Sequence, residues 1–397
     1  MKKLRIALFA CASLLIISIL LIKGFGGHAA HAAPASSTCG SWSIVHTPIP
    51  PRIKLGSSFH GTVSLSANDV WNVGDYNVVG GENSLTEHWN GSQWGIVSSP
   101  NVLHAEFTEL DAVAAVSPNN IWAVGYSYIS GSGPLSNTLI EHWNGLHWHI
   151  VASPNPGAGG NNLRGVVAIS PNNIWAVGEF QDSSDTFQTL IEHWNGSSWS
   201  VVSSPNIGTG GSELSSVTAV ASNDIWAVGF GATVTLTEHW NGTQWSIISS
   251  PNAGTSSSAL NGVTAIASNN VWAVGDYITS SDTYQTLIEQ WNGTSWSVVA
   301  SPDSGTSFNQ LLAVSAASAN TIWAVGTYNT TKRTQALIEQ WNGTSWNVVA
   351  SPPLAHNGMN GLNAVSTIPG SSQAWVVGNH VPPGANALSV SLTEYYC

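Results

Sequence analysis

The chain has 397 residues, with 21 Asp and Glu against nine Lys and Arg, and only 8% of it is charged. That balance excludes nucleic acid and anionic membrane as partners, since both require clustered Lys and Arg. The 20 Trp and recurrent Val and Ile exclude a disordered chain, which would have few large apolar residues and many charges.

The first predicted element is an export signal. A basic start (Lys2, Lys3, Arg5) precedes an apolar run from Ile6 to Ile22 and the small-residue stretch GGHAAHAAPASS, which is the order of a secretory leader. Ala30-His31-Ala32 offers an A-x-A site, so residues 1–32 are expected to be a signal peptide and 33–38 a short linker. The alternative is an uncleaved anchor, although the run is short for a spanning helix. Cys11 lies inside the apolar run rather than after it, which argues against a lipoprotein signal. Without the leader, five basic residues remain (Arg52, Lys54, Arg164, Lys332, Arg333) together with two cysteines, Cys39 and Cys397.

From Cys39 onward the chain repeats. Seven copies of W-x-V-G carry Trp71, Trp122, Trp175, Trp226, Trp272, Trp323 and Trp375, at spacings of 46 to 53 residues, a period that suggests a propeller blade. In the fifth copy four strands are predicted: GVTAIAS (A), NVWAVGDY (B), TLIEQW (C) and SWSVVAS (D). Short strands at even spacing, separated by polar turns, are an all-β signal. SNN between A and B reads as a tight turn, and the Asn-Gly pair between C and D as a two-residue hairpin. The last copy has A, B and C but ends at LTEYYC, while an unattached D strand, SWSIVHTP, stands at the start of the repeat region. The expected fold is therefore all-β, a seven-bladed β-propeller of four-stranded antiparallel blades over residues 39–397, closed by the N-terminal strand completing the last blade. Closure removes open sheet edges. It also brings Cys39 and Cys397 to the one turn where the chain is open, so a disulfide is expected there in an oxidising compartment.

With its W-x-V-G period and the hairpin WNGTSW, the chain resembles seven-bladed β-propellers of the kelch-like and Asp-box-like kind, in particular Trp-rich repeat proteins secreted by bacteria. The resemblance covers Cys39 to Cys397. It implies a secreted or cell-surface protein of bacterial type. Propellers of this kind serve as binding platforms, sialidases, oxidases and assembly factors, so the fold does not choose among these functions.

The repeat positions carry the first candidate chemistry. All 20 Trp fall on three of them: W-x-V-G, the residue before the Asn-Gly turn, and the start of strand D. None is left over for a sugar platform, so they are read as blade packing. Strand C holds Glu87, Glu141, Glu192, Glu238, Glu289, Glu339 and Glu394, one per copy. Carboxylates between blades are costly unless backbone or indole N–H groups donate to them, and that structural role is the expectation. The next residue is His88, His142, His193 or His239 in four copies but Gln290, Gln340 and Tyr395 in the others, a pattern that no metal centre explains. Asn90, Asn195, Asn241, Asn292 and Asn342 match the glycosylation sequon but stand where a turn needs them.

The long connections, B to C and D to A, emerge on one face and vary in length; binding usually resides in such loops. Twelve of the acidic residues and all five basic ones fall on that face, with Tyr76, Tyr126, Tyr128, Phe180, Tyr277, Tyr284 and Tyr328. These aromatics either stack on a ligand or cap the blades. With Arg52, Arg164 and Arg333 they are the candidate ligand-binding residues. No pairing of nucleophile and base is present, so no catalytic residue, metal or cofactor is assigned. The expected function is non-enzymatic recognition of an extracellular glycan, peptide or protein by a monomer. The competing readings are a sialidase-like hydrolase, in which the three arginines clamp a carboxylate, and a structural envelope protein.

Overall fold

Strand-forming residues alternate around the Trp positions in every copy, and every named element of the computed structural model is a strand. The structure describes residues 40–50, 53, 56–131, 135–354, 358–383 and 388–397. The leader, the linker, Cys39, Arg52 and Lys54 lie outside them. Among the described residues no helix is long and apolar enough to cross a membrane.

Within each copy strands A to D pair in order and antiparallel. The fifth is typical, with Ser257–Ala267, Asn270–Ile278, Tyr284–Trp291 and Trp296–Val298 as A to D. Five sheets have four strands each, and a sixth has eight. The larger one consists of the first two copies joined by one parallel pairing, Glu82 with Phe107. In the last sheet the N-terminal strand Trp42–Ile44 takes the D position beside Val390–Tyr396, with Trp42 opposite Tyr396.

Three local expectations are corrected. Strand A is longer than predicted, starting at Ser257 rather than Gly262, because pairing to strand B continues past a bulge into polar sequence. Strand D is only three residues long, a short outer edge of the kind that resists pairing with other chains. The C-to-D connection is also not a two-residue hairpin. Trp291 pairs with Trp296 around four residues, and the Asn292 side-chain oxygen accepts from the Thr294 hydroxyl and the amides of Thr294 and Ser295. Only the glycine there has positive φ (Gly293, 96°), whereas the expected mirror-image turn needs it at both positions.

Packing between sheets rests on tryptophan. Trp272 is 1% exposed and lies against Trp341 and Trp346 of the next copy, with ring centroids 4.9 and 5.6 Å apart. Trp375 of the last copy meets Trp89 and Trp94 of the first in the same way, at 5.2 Å each. The strand-C histidines have a structural explanation. His142 stacks on Trp122 at 4.2 Å, and its Nε2 and the Trp122 indole N–H both reach Asn120 Oδ1, at 2.9 and 2.8 Å. Gln290 donates to the equivalent Asn270 at 3.1 Å, so an amide serves where imidazole is replaced.

The seven strand-C glutamates are all fully buried. Glu141 and Glu394 point at the preceding sheet, where Ser99 and Ser351 donate to them at 2.5 and 2.7 Å. The expected backbone and indole donors do not reach the glutamates: Glu87, Glu192, Glu238 and Glu339 have no protein partner among the described residues. Burial instead pushes the carboxyls up, to about 9 for Glu87, about 8 for Glu141, Glu192, Glu238, Glu289 and Glu339, and about 7 for Glu394. Burial between sheets thus favours the neutral form of each.

Candidate functional site

The glycine of W-x-V-G sets the geometry of the site. A Cβ on Gly74, Gly125, Gly178, Gly229, Gly275, Gly326 or Gly378 would lie 2.0 to 2.1 Å from a carbonyl oxygen of the paired strand A. Those carbonyls press in because strand A is bulged at that level in every copy, between Phe59 and Gly61, Leu110 and Ala112, Leu163 and Gly165, Leu214 and Ser216, Leu260 and Gly262, Leu311 and Ala313, and Leu362 and Ala364. A bulge re-aims the extra side chain. The extra residues are His60, Asp111, Arg164, Ser215, Asn261, Leu312 and Asn363, and all of them line one cavity of about 280 Å³. The scaffold on either side is nearly constant, while this one position runs through imidazole, carboxylate, guanidinium, hydroxyl, amide and alkyl.

Charge gathers along the first three copies. His60 Nε2 lies 2.7 Å from Asp75 Oδ1 and 3.5 Å from Glu109 Oε1. Tyr126 donates to Glu109 Oε2 at 2.6 Å, and the Arg164 guanidinium lies over the Tyr126 ring. Arg164 also bridges Asp111 at 3.3 Å and Glu179 at 3.0 Å. Burial by itself would lower the His60 imidazole, but its hydrogen bond to Asp75 and the charges of Glu109 and Asp111 outweigh this and raise it to about 9. Burial and then the Glu109 charge raise Asp111 to about 7, against the opposing pull of Arg164 and His60. Burial followed by the charges of Asp75 and Glu109 does the same to Glu82. The cavity thus combines the His60 and Arg164 cations with one carboxyl, Asp111, raised toward neutrality.

Of the residues predicted from sequence, Arg164 and Tyr126 reach this cluster. Tyr76, Phe180, Tyr277 and Tyr328 pack as partly buried residues against the apolar clusters between sheets. Tyr128 lies on Phe107 (5.8 Å) and Tyr284 on Phe308 (5.1 Å). Arg333 lines a different cavity, of about 340 Å³, with Tyr328, Gln335 and Leu354. The structure therefore places Arg164 and Arg333 in separate cavities, and Arg52 lies outside the described residues. His60, Asp111, Ser215, Asn261 and Asn363 were missed. The signal for them was a conserved-looking glycine inside strand B of every copy, since glycine in a strand marks a bulge or a close backbone approach.

No family model and no curated protein matches the chain. Solved structures do match in shape. A structure titled YCF48 bound to D1 peptide is 14% identical, covers 91% of this chain and 99% of its own, and superposes with a TM-score of 0.54. YCF48 from Cyanidioschyzon merolae is 14% identical over 90% of this chain and 99% of its own, with a TM-score of 0.51. An ulvan lyase, described as a new family of polysaccharide lyase, is 12% identical over 84% and 96%, with a TM-score of 0.53. At these identities the likeness establishes the fold alone, and the fold is a β-propeller.

Proposed function

We propose that this is a secreted, non-enzymatic binding module that recognises a glycan, peptide or protein through the face carrying the B-to-C and D-to-A loops, with the bulge cavity at its centre. The observation that carries the reading is the set of bulge residues, where one repeat position points into a shared cavity while its side-chain chemistry changes from copy to copy. Propellers of related shape hold comparable ligands, as the titles of the YCF48 structure with D1 peptide and the ulvan lyase with -[GlcA(1-4)Rha3S]- indicate. Screening the exported domain against glycan and peptide arrays tests the reading. Ser215→Trp, which fills the cavity, is expected to weaken the ligand found by tenfold or more, and Asn292→Ala on the opposite face to leave it unchanged. Equal binding by Ser215→Trp, or loss of binding in Asn292→Ala, would place the site elsewhere.

The same proposal includes a closed ring of seven blades, of the kelch-like or Asp-box-like kind that WNGTSW motivates, exported by the leader at residues 1–32. Contact of Trp375 with Trp89 and Trp94 supports closure. A disulfide between Cys39 and Cys397 completes it. Its support is the pairing of Trp42 with Tyr396 and the Gly40 amide donating to the Cys397 carbonyl at 2.5 Å, which brings the residue beside Cys39 onto Cys397. On the loop-entropy account a bridge over so long a loop contributes up to about 5 kcal/mol. Peptide mapping of the secreted protein without reductant is expected to recover the Cys39–Cys397 pair; two free thiols would remove the clasp.

A further inference from the structure

We propose that His60, Glu109 and Asp111 form a divalent-metal site at the wall of the bulge cavity, suited to a first-row ion such as Zn²⁺ or Mn²⁺. One ligand atom from each of the three lies within 4.8 Å of the others. The donors come from neighbouring A strands, His60 on Gly56–Ser66 and Glu109 and Asp111 on Phe107–Ser117. His60 and Asp111 reach the cavity because a bulge turns each of them inward.

The groups behind the donors fix which atom each can offer, the arrangement that outer partners impose at metal centres. Tyr126 holds Glu109 Oε2, leaving Oε1, the oxygen that faces His60 at 3.5 Å. Arg164 holds Asp111 Oδ2, leaving Oδ1. One imidazole nitrogen with two carboxylate oxygens suits Zn²⁺ or Mn²⁺ better than an all-oxygen ion such as Mg²⁺. In the metal-free chain the proton on His60 Nε2 is shared with Asp75 Oδ1 at 2.7 Å. The ion displaces that proton to solvent, as imidazole ligation requires. Three protein ligands leave positions open toward the cavity, as in sites that take a water or a substrate atom. The inference deepens the binding reading, because hydroxyl or carboxylate oxygens of a ligand could fill those positions.

The test titrates ZnCl₂ and MnCl₂ into chelator-treated mature protein, with calorimetry and thermal melting as readouts. One saturable site per chain is expected, with an upward shift in melting temperature. Asp111→Asn and Glu109→Gln should each weaken it at least tenfold, whereas His147→Asn, in a C-to-D turn, should not. His60→Gln is the second line of evidence should either carboxylate variant melt early without metal. Absence of a saturable site, or unchanged affinity in Asp111→Asn, Glu109→Gln and His60→Gln, overturns the proposal. If metal fails to bind while Ser215→Trp still abolishes ligand binding, this inference falls and the binding reading stands.

Discussion

Replacing Trp272 by alanine is expected to lower stability by about 3–5 kcal/mol, the range for a large buried aromatic. The residue is 1% exposed and packs with Val274, Ile288, Leu311, Val314 and Trp346 across the boundary between two sheets. Its indole N–H donates to Asn270 at 2.8 Å, and removal leaves that acceptor with Gln290 as its remaining side-chain donor. Because the contact lies between sheets, the loss loosens two copies together and is not relieved by local collapse. Leu146→Ala, at an 83% exposed turn residue, should change stability by less than about 0.5 kcal/mol. Urea denaturation of both variants checks this, and a wild-type midpoint for Trp272→Ala would mean that the tryptophans are not the inter-sheet cement.

The second large effect is in pH. Each strand-C glutamate is neutral in the folded chain up to about pH 7–9, whereas the same carboxyl in the unfolded chain ionises above its ordinary value of 4.5. Below 4.5 both states are protonated and no penalty exists. Above it the folded state binds more protons than the unfolded one, so stability falls as pH rises, until the folded groups themselves ionise. His60, raised to about 9, acts in the same direction, since the stability it contributes is lost as pH climbs through that value. His142, lowered to about 4, and His193 and His380, also lowered by burial, oppose this on the acid side, below the ordinary value of 6.5. Seven glutamates against three histidines give a melting temperature that is highest in the acid range, near the ordinary carboxyl value of 4.5, and declines toward pH 8. Glu339→Gln, which keeps the shape and cannot ionise, should raise stability by about 1–3 kcal/mol at pH 8 and change it little at pH 5. A pH-independent difference between Glu339→Gln and wild type would show that Glu339 is not neutral in the folded state.

Much of the architecture was legible in the sequence because the repeat states it seven times. Trp, Asn-Gly and alternating Val and Ile at a period near 50 carry enough local information to place four strands per copy, and the missing D strand pairs where the phrase is cut. The inter-sheet role of tryptophan followed from its falling on three repeat positions. The site was far less legible. Aromatic residues at the ends of strand B drew attention, yet whether such a ring meets solvent or a neighbouring sheet depends on how two sheets pack, and Tyr277 and Tyr328 turn to the apolar side. His60, Asp111 and Arg164 sit 51 and 53 residues apart, in strands that look alike, and nothing local joins them. Their meeting depends on a bulge. The glycine that permits the bulge was plain in W-x-V-G, but which strand it deforms and which side chain it expels into the shared cavity were decided only when strand A paired across it and the sheets assembled around the cavity.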